Sequence, residues 1–210
     1  PIGFTILAEV GLFMAASVMM GWLGTVQLAA HGIAIQLASI SFMVPLGLSH
    51  AATVRIGQAY GRADMDGLAR ASHTVMGLAV LISLFAAALF WLFPEALVSL
   101  FLDESNVDSA ELLAVAVPLL LVAAAFQLVD AIQAIAAGLL RGIKDTRTPM
   151  IIAIISYWPI GLSAAYGLGI GLGYGGPGIW AGLAIGLGVA AVLLNLRFIN
   201  RHMFLDVVKG

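Results

Sequence analysis

Long apolar stretches, separated by short groups of charged residues, divide this chain into six segments. No Asp, Glu, Lys or Arg occurs at residues 10–54 or 148–196, and each stretch is long enough for two membrane-spanning helices of ~20 residues. Apolar runs at 71–93 and 112–140 add two further spans. The pattern therefore predicts an all-α integral membrane protein with six transmembrane helices, at residues 2–22, 28–57, 71–93, 112–140, 150–168 and 179–198.

Composition agrees with this pattern and removes several classes of function. The chain is 62% hydrophobic and 10% charged, with a mean hydropathy of +1.08, whereas soluble domains carry roughly 25% charged residues. Cysteine is absent, which excludes disulfides, thiol chemistry and a cysteine metal site. The histidines do not have the spacing of metal ligands. We expect membrane lipids as partners and no nucleic acid.

The basic residues mark one side of the membrane. They follow spans two, four and six, and none follows an odd-numbered span. Under the positive-inside rule, this places both ends of the segment in the cytoplasm, in a multi-pass protein of the cell's inner (plasma) membrane. The basic residues are Arg55, Arg62, Arg70, Arg141, Lys144, Arg147, Arg197, Arg201 and Lys209, and the acidic residues expected outside are Glu95, Asp103, Glu104, Asp108 and Glu111.

The chain begins with Pro1 inside an apolar run that has no basic flank, which is not the pattern of a signal peptide. We therefore expect further sequence upstream.

Asp130 lies in the middle of the fourth apolar span. A carboxylate at the depth of a bilayer costs several kcal/mol unless it is neutralised, paired or hydrated, so it marks a candidate functional site. On a helix of ~100° per residue, Gln127 and Gln133 fall about 60° to either side of Asp130. This polar face would suit an ion site or a water-filled cavity, with Phe126 in the same sector.

Glu9 is the second acid within a span, and Thr5 lies one turn away on the same face. With both chain ends in the cytoplasm, Glu9 and Asp130 reach comparable depths and are predicted to face one cavity. A buried carboxylate can hold a proton or exchange it for a cation, which would couple ion movement to another process. The alternative is a pair of structural acids that hydrogen-bond to neighbouring helices.

Two prolines and one tryptophan also interrupt the apolar pattern. Pro45 and Pro159 lie inside predicted spans and are candidate hinges, because a proline usually kinks a membrane helix. Trp158 lies in mid-span, where it could stack on an aromatic cation or pack in the core.

The glycines of the last third predict packing. Gly178, Gly182 and Gly186 recur every four residues, which allows close approach of another helix. The G-x-G-x-x-G match at 173–178 follows no predicted strand and is interpreted as a turn.

Several stretches along the chain resemble the multidrug and toxic compound extrusion (MATE) family, in its NorM-like branch. The resemblance covers nearly the whole chain, as the C-terminal half of a family member. The matching stretches are PIG at 1–3 with Glu9, AAH at 29–31, PLGLS at 45–49, ATVRIGQ at 52–58, FQ at 126–127 with Asp130, GLLRGIKDT at 138–146 and YW at 157–158 with Gly161.

The resemblance implies one six-helix lobe of a twelve-helix antiporter, whose N-terminal lobe lies outside this sequence. It implies export of small organic cations and drugs, coupled to Na⁺ or H⁺ as the transported ion, with no other cofactor. Glu9 and Asp130 match acids of the family's cation site, and Gln127 and Gln133 accompany them. Phe126, Trp158 and Thr5 are expected to line the substrate cavity. Sodium-coupled members often carry Tyr at the position of Phe126, so both coupling ions remain open.

Other functions are less consistent with the sequence. An intramembrane aspartyl protease would need paired Asp motifs, so we do not expect an enzyme. A lipid-linked oligosaccharide flippase of related architecture would need a cationic cavity, whereas the basic residues within predicted spans, Arg55 and Arg197, lie in the last three residues of theirs. A non-transporting membrane scaffold would leave two acids within the spans unexplained.

Overall fold

The computed structural model describes residues 1–102 and 109–207, with side chains up to residue 201. Six of its helices are long and apolar enough to cross a membrane. The predicted all-α fold with six spans is therefore confirmed. The helices are α1 (Ile2–Leu23), α2 (Thr25–Gly61), α3 (Met65–Leu92), the short α4 (Pro94–Ser99), α5 (Ser109–Gly142), α6 (Arg147–Gly171) and α7 (Gly175–Val207).

Several helices extend beyond the limits that hydropathy predicts. The second helix covers Thr25–Gly61, where the apolar pattern predicts 28–57, because a helix continues past the hydrocarbon layer into polar surroundings. The fourth membrane helix, α5, ends at Gly142 and includes Arg141 in its last turn. Asp103, Glu104 and Asp108 of the predicted outer connection, and the side chains of His202 and Lys209, lie outside the described residues.

Short turns with special backbone geometry join the helices. Gly24, with φ 129°, occupies the one-residue link between α1 and α2, a conformation that other residues rarely adopt. Asp64 caps α3, because its Oδ1 accepts a hydrogen bond from the Gly67 amide at 2.8 Å. These tight links make consecutive helices antiparallel neighbours.

The α5 helix lies at the centre of the bundle and packs closely against α2. Ser49 Oγ donates to the carbonyl oxygen of Ala134 at 2.6 Å, and Thr53 Oγ1 donates to that of Gly138 at 3.0 Å. A Cβ atom on Gly138 would lie 2.7 Å from the Ser49 carbonyl oxygen. Glycine is therefore required at this crossing, which fixes the helix that carries Asp130.

The α6 and α7 helices also meet through small residues. A Cβ atom on Gly186 would lie 2.6 Å from the Cα atom of Gly161, and one on Gly182 would overlap Ala165. The predicted close approach at Gly178, Gly182 and Gly186 is thus confirmed.

Each predicted hinge proline lies within a continuous helix. Pro45 is buried in α2, which remains α-helical through it. Pro159 lies in a wide π-type stretch, Ser156–Leu162, where the turn accommodates a ring that would collide with the preceding turn of an α-helix.

Candidate functional site

Asp130 faces a small cavity inside the lobe. Its side chain is only 6% exposed, and its Oδ1 atom is buried without a hydrogen-bond partner among the described residues. The cavity has a volume of about 150 Å³, and Glu9, Phe126 and Trp180 also line it. An ionised carboxylate that lacks hydrogen-bond donors in such surroundings is costly, which makes Asp130 a candidate group for binding a proton or a cation.

Glu9 connects this space to a larger cavity of about 400 Å³. The larger cavity is lined on its polar side by Thr5, Ser49, Gln133 and Arg141. Glu9 is partly buried and lines both spaces, which will be called the Asp130 cavity and the Arg141 cavity. Glu9 and Asp130 therefore line one cavity, as predicted, and Glu9 also lines a second, adjoining one.

The two carboxyl groups differ in the charges that surround them. Glu9 interacts electrostatically with the Arg141 guanidinium, whereas the charged group that acts on Asp130 is Glu9 itself. Arg141 and Glu9 form no ion pair within 4.0 Å in the described structure. Instead, Arg141 Nη2 donates to Ser49 Oγ at 2.9 Å, and its Nε atom is buried without a partner among the described residues. The Arg141 cavity thus separates a positive charge from a negative one.

Aromatic rings close the Asp130 cavity on the side away from Arg141. Phe126 makes edge-to-face contacts with Trp180, at 5.0 Å between ring centroids, and with Phe13, at 5.9 Å. Trp180 Nε1 donates to His31 Nδ1 at 3.0 Å, so this ring nitrogen carries no proton. His31 Nε2 lies 3.0 Å from Ser17 Oγ, which itself donates to the Phe13 carbonyl. This chain of hydrogen bonds holds Trp180 against Phe126.

The hydroxyl group of Tyr157, on α6, is a further polar atom of this region. Tyr157 is fully buried, its hydroxyl has no hydrogen-bond partner among the described residues, and it interacts electrostatically with both Glu9 and Asp130. A buried hydroxyl near two carboxyl groups can donate to one of them or supply an oxygen ligand to a cation.

The structure distributes the other predicted site residues over several places. Gln133 and Thr5 line the Arg141 cavity, and Thr5 Oγ1 donates to the Pro1 carbonyl at 3.3 Å. Gln127 is buried with an unpartnered Nε2 atom, but it lines neither cavity. Trp158 also lines neither cavity: its ring lies over Gly11, and its Nε1 atom donates to the Ala8 carbonyl at 3.3 Å. The ring is 41% exposed on the α1–α6 surface, where it packs between helices.

Sequence reasoning missed three residues that the structure brings to this region. The sequence pattern places Arg141 just beyond the fourth span. In the structure α5 includes Arg141, and its side chain lines a cavity, which corrects the expectation that basic residues stay outside the helices that form the site. Tyr157 and Trp180 lie within apolar runs, where the hydropathy pattern does not distinguish them from other apolar residues. The mid-span position of Tyr157 is the signal that could have found it, because its hydroxyl needs a partner there. Trp180 is the second residue of the predicted span 179–198 and gives no such signal.

A metal-binding cluster is not seen in the part of the chain that the structure describes, where no three His, Asp or Glu side chains come together. Asp130 and Glu9 nevertheless offer carboxylate oxygens, the ligand type that hard cations such as Na⁺ prefer.

Comparison with known proteins identifies the family of this membrane-spanning fold. The MatE family model matches residues 1–167. The probable multidrug resistance protein NorM of Rhizobium meliloti is 57% identical over 198 residues, covering 94% of this chain and 42% of that relative. The chain therefore belongs to the MatE family. It spans less than half the length of the curated relatives that it matches.

Solved structures of low sequence identity share the fold. One is described as the inward-facing conformation of a multidrug resistance MATE family transporter, with a TM-score of 0.84 and 22% identity over 99% of this chain and 46% of that chain. Another is described as an outward-facing conformation of such a transporter, with a TM-score of 0.81 and 24% identity over 97% of this chain and 44% of that chain.

Proposed function

We propose that this chain is one lobe of a cation-coupled antiporter that exports small organic cations and drugs from the cell. The observation that carries the proposal is the buried Asp130 carboxyl, whose Oδ1 atom lacks a partner in a cavity shared with Glu9. A relative is named as a probable multidrug resistance protein, which supports the choice of cargo. The second lobe of the same protein is the remaining partner, since the chain matches less than half of its relatives.

Coupling follows from the physical cost of an empty, charged Asp130 site. When Asp130 binds a proton or Na⁺, its charge is compensated and the surrounding apolar helices can pack around it. When the ion leaves, the carboxylate favours a conformation that gives it water or a cationic cargo. Ion and organic cation thereby compete for one charge, and the lobe's preference between inward-facing and outward-facing states changes with its occupant. Relatives of this fold described in both states support such alternation.

Glu9 and Arg141 form the auxiliary part of this mechanism. Since Glu9 faces Arg141 across the larger cavity, it keeps a countercharge after an ion departs. Gln133 lies in the same cavity, where its side-chain amide can bind water or an ion in transit. In this mechanism Asp130 is the obligatory group that binds the coupling ion. Glu9 adjusts the affinity for that ion or lies on the route by which the ion reaches Asp130.

The choice between Na⁺ and H⁺ depends on the available oxygen atoms. Phe126 supplies none, but the unpartnered Tyr157 hydroxyl is a candidate replacement from a different helix. If the coupling ion is Na⁺, oxygen atoms of Asp130, Glu9 and Tyr157 together coordinate it. If the coupling ion is H⁺, protonation of Asp130 alone is sufficient.

We assign the protein to the cell's inner (plasma) membrane, with both ends of this segment in the cytoplasm. The distribution of Lys and Arg after the even-numbered spans supports this orientation.

The experiment is dye efflux from energised vesicles that contain the complete protein. Imposed Na⁺ and H⁺ gradients are tested separately with a fluorescent organic cation. Asp130→Asn is compared with Glu95→Gln, which removes one carboxylate from an exposed position outside both cavities. We expect gradient-driven efflux to fail only in Asp130→Asn. Equal efflux in both variants would contradict the proposal.

A further inference from the structure

A third cavity lies outside the coupling region, in a groove between the C-terminal part of α2 and the N-terminal part of α3. Its volume is about 510 Å³. One end of the groove is apolar and is bounded by Leu48, Val75 and Leu78, while the other carries Arg55, Arg62 and Arg70. None of the candidate coupling residues lines it.

Small side chains form the floor between these ends. Ala51, Ala52, Ala59, Gly67 and Ala71 line the groove, so the two helices leave a channel that larger residues would fill. Such a groove between membrane helices leaves room for an acyl chain.

The charges at the polar end are strongly asymmetric. The three arginines are exposed, and none makes an ion pair within 4.0 Å in the described structure. Asp64 is the acid that lines the groove, and its Oδ1 atom already accepts the Gly67 amide as the cap of α3. Asp66, in the first turn of α3, does not line it. The polar end therefore has a net positive charge.

The length of α2 places these arginines at the level of lipid headgroups. A helix of 37 residues is ~55 Å long, whereas a bilayer with its headgroups is ~40–45 Å thick. The predicted span ends at residue 57, so Arg62 lies beyond it, Arg55 lies in its last turn and Leu48 lies deeper. Arginine binds phosphate oxygens through a planar set of donors.

We propose that this groove is a binding site for an anionic phospholipid of the leaflet on the basic side of the protein. The phosphate and headgroup bind Arg55, Arg62 and Arg70, and one acyl chain lies along the alanine floor towards Leu48 and Leu78. Basic pockets between membrane helices are a recurring mode of headgroup recognition. The inference does not depend on the coupling mechanism.

The test uses the complete protein in vesicles of mixed phosphatidylglycerol and phosphatidylcholine. After mild detergent extraction, retained lipid is quantified by mass spectrometry as the ratio of phosphatidylglycerol to phosphatidylcholine. Arg62→Gln/Arg70→Gln is compared with Lys144→Gln/Arg147→Gln, which removes the same charge from exposed positions outside the groove. We expect the ratio to fall about fivefold for each groove arginine removed, and to remain near wild type in the control. Arg62→Lys/Arg70→Lys should retain most of the preference.

The acyl-chain part is tested separately. Ala51→Trp fills the groove without removing a charge, and Leu81→Trp introduces the same ring at an exposed α3 position outside it. We expect loss of retained phosphatidylglycerol in Ala51→Trp alone. An equal loss of retained phosphatidylglycerol in the groove variant and in the Lys144→Gln/Arg147→Gln control would mean that the overall positive charge, not the groove, attracts the lipid. That result would overturn the proposed site. Unchanged retention in Ala51→Trp, with displacement by soluble glycerol phosphate, would identify a soluble-anion site and overturn the lipid assignment.

Discussion

The Asp130 cavity and the Arg141 cavity adjoin at Glu9, yet they surround a carboxylate with different groups. The smaller one surrounds Asp130 with Phe126 and Trp180 and leaves its Oδ1 atom without a partner in the described structure. The larger one places Glu9 across from Arg141, among polar side chains. The difference indicates that an acid's sequence position within a span does not define its role, because the neighbouring helices decide whether its charge is compensated.

The largest effect on efflux is expected at Asp130, because no basic side chain among the described residues compensates its charge. Asp130→Asn removes the charge for which ion and cargo compete, so gradient-driven efflux of a cationic dye should fall about a hundredfold, near the upper range of coupling energies between two sites. Dye binding should weaken, because the charge that attracts the cation is gone, but should persist through apolar contacts. Wild-type efflux in this variant would remove the distinction between the two cavities.

A smaller effect is expected at Glu9, because its charge is balanced in part by Arg141. In Glu9→Gln, efflux should fall about twentyfold under the same gradient. Initial rates in vesicles measure this value, with Glu111→Gln as the control for an exposed acid. A loss as complete as that in Asp130→Asn would mean that the two acids act as one unit.

Tyr157 tests whether a hydroxyl from α6 belongs to the ion site. Tyr157→Phe deletes one buried oxygen and should raise the Na⁺ concentration for half-maximal efflux about fivefold, the value of roughly one hydrogen bond. Tyr166→Phe, an exposed tyrosine of the same helix, should leave it unchanged. If Tyr157→Phe alters stability but not the Na⁺ dependence, the hydroxyl is structural.

The smallest effect is expected from Arg141, which is partly exposed and competes with cations for Glu9. Arg141→Gln should lower the half-saturating concentration of the coupling ion twofold to fivefold, as for other solvent-accessible charge pairs. Arg141→Lys should restore the wild-type value, and Arg147→Gln should not change it. An increased half-saturating concentration would show that Arg141 assists ion binding instead.

Sequence patterns predicted the six spans and the acid buried in the fourth, for a physical reason. A span must be apolar throughout, so an exception such as Asp130 stands out, and a glycine repeat such as Gly178, Gly182 and Gly186 has few explanations besides packing. The positions of Trp158 and Trp180 could not be predicted in the same way. Both are aromatic residues within spans, and only the packing of α5 with α7 puts Trp180 beside Phe126, as only the packing of α1 with α6 puts Trp158 over Gly11.

The same limit applies to Arg141. In sequence it is one of three basic residues in a turn, where its charge contributes to the predicted orientation. Its second role depends on α5 continuing to Gly142 and on the Ser49 hydroxyl that orients the guanidinium. Local pattern cannot supply such a contact between residues far apart in the chain.

The central claim is that Asp130 carries the coupling ion, whereas Glu9 does not have to. The direct measurement is ion release from the purified complete protein when the organic cation binds. Protons are followed with a pH indicator in weak buffer, and Na⁺ with an ion-selective electrode. We predict that wild type and Glu9→Gln release an ion on adding the dye, and that Asp130→Asn binds the dye without releasing one. Release from Asp130→Asn at the wild-type level would contradict the account.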